Sequence, residues 1–315
     1  MSIHPFMGRS LSMKRPLSIL VALIGLIVGL FGVAPAQATG GSDSHPHTIT
    51  WKVLVGEETS DHAIQGMRFL PGEIWIDQGD SINFIANSAE IHTVSFGTPP
   101  LPPTSVENVL TDAVPRVGGP VFDPTAPWTN SGILTTMPAP EEFPSVTSYL
   151  QKFTVQGSFT FWCLIHGQMM SLDVHVQKAH SKYPHRQPYY DHQAEEQSEQ
   201  IIAHGKDLWE DTADKASSTH VYVGASNDEV MVMRFIPSTV KVSQGSTVTF
   251  DMGANHVFVP HTVTFTNLVQ NGNKVDSGVL LGPVTFQPTF TQTGTWNYFC
   301  QFHDGMGMLG SVKVS

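Results

Sequence analysis

Cys300-Gln301-Phe302-His303-Asp304-Gly305-Met306-Gly307-Met308 places a thiol, an imidazole and thioethers on one short loop. Cys163-Leu164-Ile165-His166-Gly167-Gln168-Met169-Met170 does nearly the same, and these are the only two cysteines in the chain. In each loop His follows the Cys at a spacing of C-x-x-H, and Met follows shortly after. Outward from these loops the chain repeats itself. Met67-Arg68-Phe69-Leu70-Pro71 recurs as Met233-Arg234-Phe235-Ile236-Pro237, His92-Thr93-Val94 as His261-Thr262-Val263, and Val53-Leu54-Val55-Gly56 as Val221-Tyr222-Val223-Gly224. A repeat of this length is a domain copied once.

The repeated elements carry the two-residue period of half-buried strands. Ile74 and Ile76, like Val240 and Val242, alternate with more polar neighbours. Phe159, Phe161 and Cys163 share one face of a strand, as do Trp296, Tyr298 and Cys300. Short strands punctuated by Gly and Pro indicate an all-β chain of two tandem β-sandwiches. The first domain is expected over 48–177, with a Pro-rich insertion at 97–146 that shields its site or shapes a docking surface. A linker follows over 178–218. From about Gln193 to Lys215 it is rich in helix formers, with Ile201, Ile202, Leu208 and Trp209 loosely on one face, so a helix packed on a sandwich is expected there. The second domain is expected over 219–315.

Arg9, Lys14 and Arg15, the apolar run Leu17 to Val33 and the small-x-small site Ala36-Gln37-Ala38 read as a signal peptide over 1–38, with an uncleaved membrane anchor as the competing reading. Export, to a periplasm or beyond the cell, is therefore expected, and membrane contact only through an uncleaved leader. Without the leader, 13 Lys and Arg face 27 Asp and Glu, a net charge of −14. That balance disfavours nucleic acid and speeds encounter with a cationic partner, although a merely solubilising acidic surface explains it as well. A disulfide is the other use an exported protein makes of two cysteines, but it leaves the shared C-x-x-H…M setting unexplained.

Soft thiolate and thioether sulfurs together with imidazole select copper. Two His, one Cys and a weak axial Met form a mononuclear electron-transfer site. The second His of each site must come from outside the loop, and His92 and His261 occupy the same repeat position.

These residues resemble the plastocyanin/azurin family, the cupredoxins, over both repeats. The match is close in the second, Cys300-x2-His303-x4-Met308-x-Gly310-x-Val312-x-Val314. The resemblance implies a Greek-key sandwich in each repeat and two copper ions, one per domain. It implies His261, Cys300, His303 and Met308 as ligands in the second domain, and His92, Cys163, His166 and Met170 in the first. There the loop is one residue shorter, and Met169 stands beside Met170 as the alternative axial ligand. Thr93 and Thr262 follow the first His where many relatives have Asn; that position helps tie the ligand loops together, so the tuning of the redox potential is in question. The family also implies that the edge of the loop His lies near the surface, with Leu164, Ile165 and Phe302 as an apolar docking rim for a redox partner protein.

An enzyme is not expected. Multicopper oxidases and copper nitrite reductases need further His ligands, yet Trp162 and Phe299 precede the cysteines, Leu164 and Gln301 follow them, and neither His92 nor His261 belongs to a His-x-His pair. The expected function is an exported electron carrier with two type 1 (blue) copper sites; copper storage or delivery is the alternative.

Overall fold

A computed structural model describes residues 48–137, 144–257, 259–270 and 272–315 of the 315-residue chain. The leader, and residues 138–143 of the Pro-rich insertion, lie outside the described residues. Among the described residues no helix is long and apolar enough to cross a membrane.

The first repeat opens with β1 (Thr50–Glu58), β2 (Ile64–Leu70), β3 (Glu73–Asp77), β4 (Ser81–Ala86) and β5 (Ser95–Gly97). The insertion adds α1 (Val106–Ala113), β6 (Trp128–Asn130), β7 (Ile133–Leu134) and β8 (Ser145–Val146). The repeat closes with β9 (Ser148–Lys152), β10 (Gly157–Cys163) and β11 (Gly167–Gln177). After α2 (Gln187–Ala213), the second repeat runs through β12 (His220–Ser226), β13 (Val230–Ile236), β14 (Thr239–Val242), β15 (Thr249–Asp251) and β16 (Thr264–Gln270). It ends with β17 (Asn273–Asp276), β18 (Thr285–Phe286), β19 (Gly294–Phe299) and β20 (Leu309–Val314).

Each repeat is a β-sandwich, and the expected all-β fold is present. One sheet of the first has the order β3-β11-β10-β5-β6, and its counterpart in the second is β14-β20-β19-β16-β17. Period-two burial drives this layering. Ile74, Ile76, Phe161, Leu172 and Val174 are sealed in the first core, and Val240, Val242, Tyr298 and Val312 in the second.

Apart from the short parallel pair β7–β8, the remaining strands of both repeats form one continuous sheet, β18-β15-β12-β13-β2-β1-β4-β9. The seam is the antiparallel pair β2–β13, in register Gly66↔Val230, Gln65↔Met231 and Ile64↔Val232. With Met67 equivalent to Met233, exchanging the repeats maps this register onto itself, with Gln65 and Met231 on the axis. The two repeats are therefore related as a pseudo-two-fold pair, the symmetry of an isologous dimer. Met67 N–H donates to Glu229 O at 2.8 Å, and Met233 N–H donates to Ala63 O at 2.8 Å, completing the pattern. Joining the sheets also leaves neither seam strand as an open edge.

Helix α2 lies over this seam. Ala194 and Ile201 pack with Ile64, Leu70 and Val230, while Leu208 and Trp209 reach Val232 and Ile236. Gly205 permits the close approach, because a Cβ there would lie 2.9 Å from Val230 Cγ2 and closer still to Ile64 Cγ2. The helix begins earlier than expected. Pro188 sits in its first turn, where a missing N–H costs nothing.

Candidate metal centres

Cys163 ends β10 and His166 sits in the turn to β11; His92 lies between β4 and β5. The structure brings the three together at one end of the sandwich. His92 Nδ1 is 3.1 Å from His166 Nδ1, and Cys163 Sγ is 3.9 and 3.5 Å from those two nitrogens. In the second repeat His261 Nδ1 and His303 Nδ1 are 3.0 Å apart, with Cys300 Sγ at 3.7 and 3.4 Å. All six residues are buried. In each triangle the point equidistant from the three donors lies about 2 Å from every one, which is the bond length of imidazole and thiolate to a first-row metal ion. The donor set and its size fit copper.

The protonation states fit as well. Burial drives the imidazoles toward the neutral, lone-pair form: His166 is pushed down to about 3 and His303 to about 4. Burial, with the neighbouring ring adding to it, holds His92 and His261 well below the usual histidine range. Burial pushes the Cys163 and Cys300 thiols up, against hydrogen bonds that favour the thiolate. A metal must therefore displace a proton from sulfur but none from nitrogen.

Neighbouring groups aim the ligands. Ser88 Oγ lies 2.9 Å from His92 Nε2, which leaves Nδ1 for the centre. A reciprocal backbone pair with Leu134 fixes His92, and one with Leu280 fixes His261. Gly56 and Gly224 sit at bulges with φ of +82° and +74°. A Cβ would come within 2.5 Å of His92 Nε2 at Gly56 and 2.7 Å of His261 Nε2 at Gly224. Their recurrence in Val-x-Val-Gly was the available signal; Ser88 had no sequence signature.

Thr93 and Thr262 do tie the ligand loops together. Thr93 N–H donates to Cys163 Sγ at 3.3 Å, and Thr93 Oγ1 accepts from Leu164 N–H at 2.8 Å. Thr262 N–H donates to Cys300 Sγ at 3.4 Å, and Thr262 Oγ1 accepts from Gln301 N–H at 2.8 Å. The backbone and hydroxyl of Thr thus link the two loops in each repeat.

The methionines separate by burial. Met170 and Met308 are fully buried in the same cores as Cys163 and Cys300, whereas Met169 is 49% exposed. Met306 is also buried, but it packs with the core of the first repeat.

The expected surface edge on the loop histidines is absent. His166 and His303 are each only 6% exposed, because the pseudo-two-fold seam turns the ligand ends of the two repeats toward one another. They border a common cavity of about 340 Å³. Of the expected rim, Leu164 is buried under the insertion against Trp128 and Trp162, Ile165 is partly buried, and Phe302 alone is largely exposed. The insertion supplies Ile133 and Met137 to the cavity wall.

A profile of copper binding proteins of the plastocyanin/azurin family matches residues 220–315. The chain is 32% identical over 117 residues to the chloroplastic plastocyanin of Oryza sativa subsp. indica, covering 32% of this chain and 71% of that protein. It is 31% identical over 96 residues to plastocyanin of Sambucus nigra, covering 26% and 89%. Against the chloroplastic plastocyanin of Fritillaria agrestis identity is 29%, and the chain spans 63% of that protein's length. Among solved structures, a purple cupredoxin from Nitrosopumilus maritimus aligns at 23% identity and a TM-score of 0.24, covering 31% of this chain and 99% of that one. With two His-Cys-His triangles sized for copper, and relatives of this similarity, the chain belongs to the plastocyanin/azurin family of copper-binding proteins.

Proposed function

We propose that the protein is an exported electron carrier with two mononuclear type 1 copper centres. His92, Cys163, His166 and Met170 hold one, and His261, Cys300, His303 and Met308 hold the other. The observation that carries this reading is that two buried His-Cys-His triangles, built from different repeats, agree within 0.2 Å on every side. Copper, when bound, supplies a one-electron change. The chain holds three donors in place through backbone pairs, threonine ties and a packed core, so little need move when the charge changes.

The relatives matched are plastocyanins, which supports a carrier rather than an enzyme. Burial of all six donors argues against the storage or delivery alternative, which favours ligands that exchange readily. The basic, apolar and small-residue pattern of residues 1–38 supports export. We take the partner to be a redox protein with a cationic face, matching the acidic surplus.

Visible absorption of the copper-loaded protein tests the reading. Cys163→Ser and Cys300→Ser are each expected to remove about half of the thiolate-to-copper band, leaving a centre that is reversibly reduced and oxidised. Loss of the whole band in either single variant contradicts two independent centres. Rapid surrender of the metal to a chelator supports delivery instead.

A further inference from the structure

The ligand histidines of the two repeats face one another across a single acidic side chain. Glu90 Oε1 lies 3.9 Å from His166 Nε2, and Glu90 Oε2 lies 4.0 Å from His303 Nε2. Glu90 is buried, and its Oε2 has no hydrogen-bond partner among the described residues. Both Nε2 atoms are the outer nitrogens of rings whose Nδ1 atoms point into the metal triangles.

We propose that Glu90 is a positioning residue shared by both copper centres, serving the outer ring nitrogens of His166 and His303 at once and so coupling the two metals. The proposal rests on the two-copper reading above. A histidine that binds metal through one nitrogen nearly always presents its other N–H to a carboxylate, carbonyl or water, which fixes the ring and tunes the metal. Here two such histidines, from two repeats, meet one carboxylate with two oxygens. With both rings neutral, neither contact is an ion pair. The gaps exceed a direct hydrogen bond by about 1 Å. At this range Glu90 faces each ring across the adjoining cavity rather than through a direct hydrogen bond.

The pseudo-two-fold relation explains why there is one such residue. Counting back two positions from the ligand histidine, Glu90 in the first repeat corresponds to Val259 in the second. Val259 is buried and borders the same cavity. Two carboxylates facing each other near the axis would repel in a dry site. One carboxylate and one valine leave a single acceptor group for both rings.

A carboxylate is about 2 Å wide, so the two Nε2 atoms are at most about 10 Å apart. Electron exchange falls off exponentially with distance, and this path crosses two imidazoles and one side chain. An electron that takes it oxidises one cuprous ion to cupric and reduces the other from cupric to cuprous, with no further reagent consumed. The outer edges of the two loop histidines are thus turned toward the same side chain.

The decisive comparison is made in the Cys163→Ser chain, which keeps only the second centre. Adding Glu90→Gln is expected to shift the reduction potential of that centre, because the group that faces His303 Nε2 changes from two acceptor oxygens to an amide that also presents N–H. An unchanged potential overturns the proposal, since Glu90 belongs to the other repeat. Copper content is measured first: a Cys163→Ser chain without its copper refutes the two-centre reading rather than the coupling. Two further readouts stand apart from that double variant. In the unsubstituted, doubly loaded protein, dipolar electron-spin spectroscopy is expected to give a copper–copper distance below about 20 Å, from the span above plus one ring and one bond on each side. In the metal-free protein, Glu90→Gln is expected to shift the nitrogen resonance of His303 Nε2. A longer separation, or an unmoved resonance, overturns it.

Discussion

His92 Nδ1 stands 3.1 Å from His166 Nδ1, two neutral ring nitrogens with a cysteine sulfur completing the triangle. Both rings are neutral at neutral pH, since burial holds both well below the usual range, and each keeps a single ring N–H. The thiol, by contrast, is held in its protonated form. Metal binding at neutral pH should release about one proton per centre, from sulfur. Calorimetric titration in buffers of different ionisation enthalpy reads this number directly; two or more protons per centre would show that a histidine had been charged.

The same burial sets the acid stability of the metal-free protein. The four ligand histidines have folded-state values below the 6.5 of the unfolded chain, to about 3 for His166 and about 4 for His303. The unfolded state therefore binds more protons across this interval, and stability rises with pH through it. Their contribution is complete above about pH 6.5 and is lost as pH falls toward 4. Glu90 acts in the opposite sense: burial raises it to about 7 from 4.5, so its contribution is present below pH 4.5 and fades as pH rises through 7. Four groups outweigh one, and denaturant midpoints of the metal-free protein should drop between pH 6.5 and 4. Copper-loaded protein should resist this fall, because the ion binds only the folded state.

Thr93→Ala removes the acceptor for the buried Leu164 N–H, and Thr262→Ala removes that for Gln301 N–H. Leaving the buried Leu164 donor unpaired costs about 1–3 kcal/mol, and the part-buried Gln301 donor less. Each variant should melt earlier and shift the visible band of its own centre while the other centre keeps its spectrum. Equal perturbation of both bands would mean that the threonine tie does not belong to one loop.

Gly56→Ala and Gly224→Ala place a methyl group against the ring of His92 or His261. Each should drop copper content from two ions to one per chain, and the surviving band identifies the untouched centre. Retention of both ions would show that the ring has room to retreat.

Gly205→Ala presses α2 away from Ile64 and Val230 at the seam. Overpacking of this kind costs about 1–3 kcal/mol. Thermal stability should fall while copper content and spectra stay unchanged, because the helix lies on the seam and contributes no residue to either triangle.

Much of this architecture was legible in the chain. Alternation at Ile74/Ile76 and Val240/Val242 identified the strands, and the matched C-x-x-H…M loops with His92 and His261 identified the triangles. What was not legible depends on contacts between the repeats. Met67-Arg68-Phe69 and Met233-Arg234-Phe235 recur visibly, but only pairing of β2 with β13 shows that they flank the seam. That seam turns His166 and His303 inward, where a single domain would expose them. Glu90 carried no signal because its equivalent, Val259, is apolar, and a residue serving both repeats at a pseudo-symmetry axis has no reason to be repeated.

Each repeat is proposed to hold one copper ion in its own His-Cys-His triangle. Diffraction at the copper absorption edge from crystals of the loaded protein measures this most directly. Two anomalous peaks per chain are expected, one within bonding distance of His92, Cys163 and His166 and the other of His261, Cys300 and His303. One peak, or peaks away from these triangles, would contradict it.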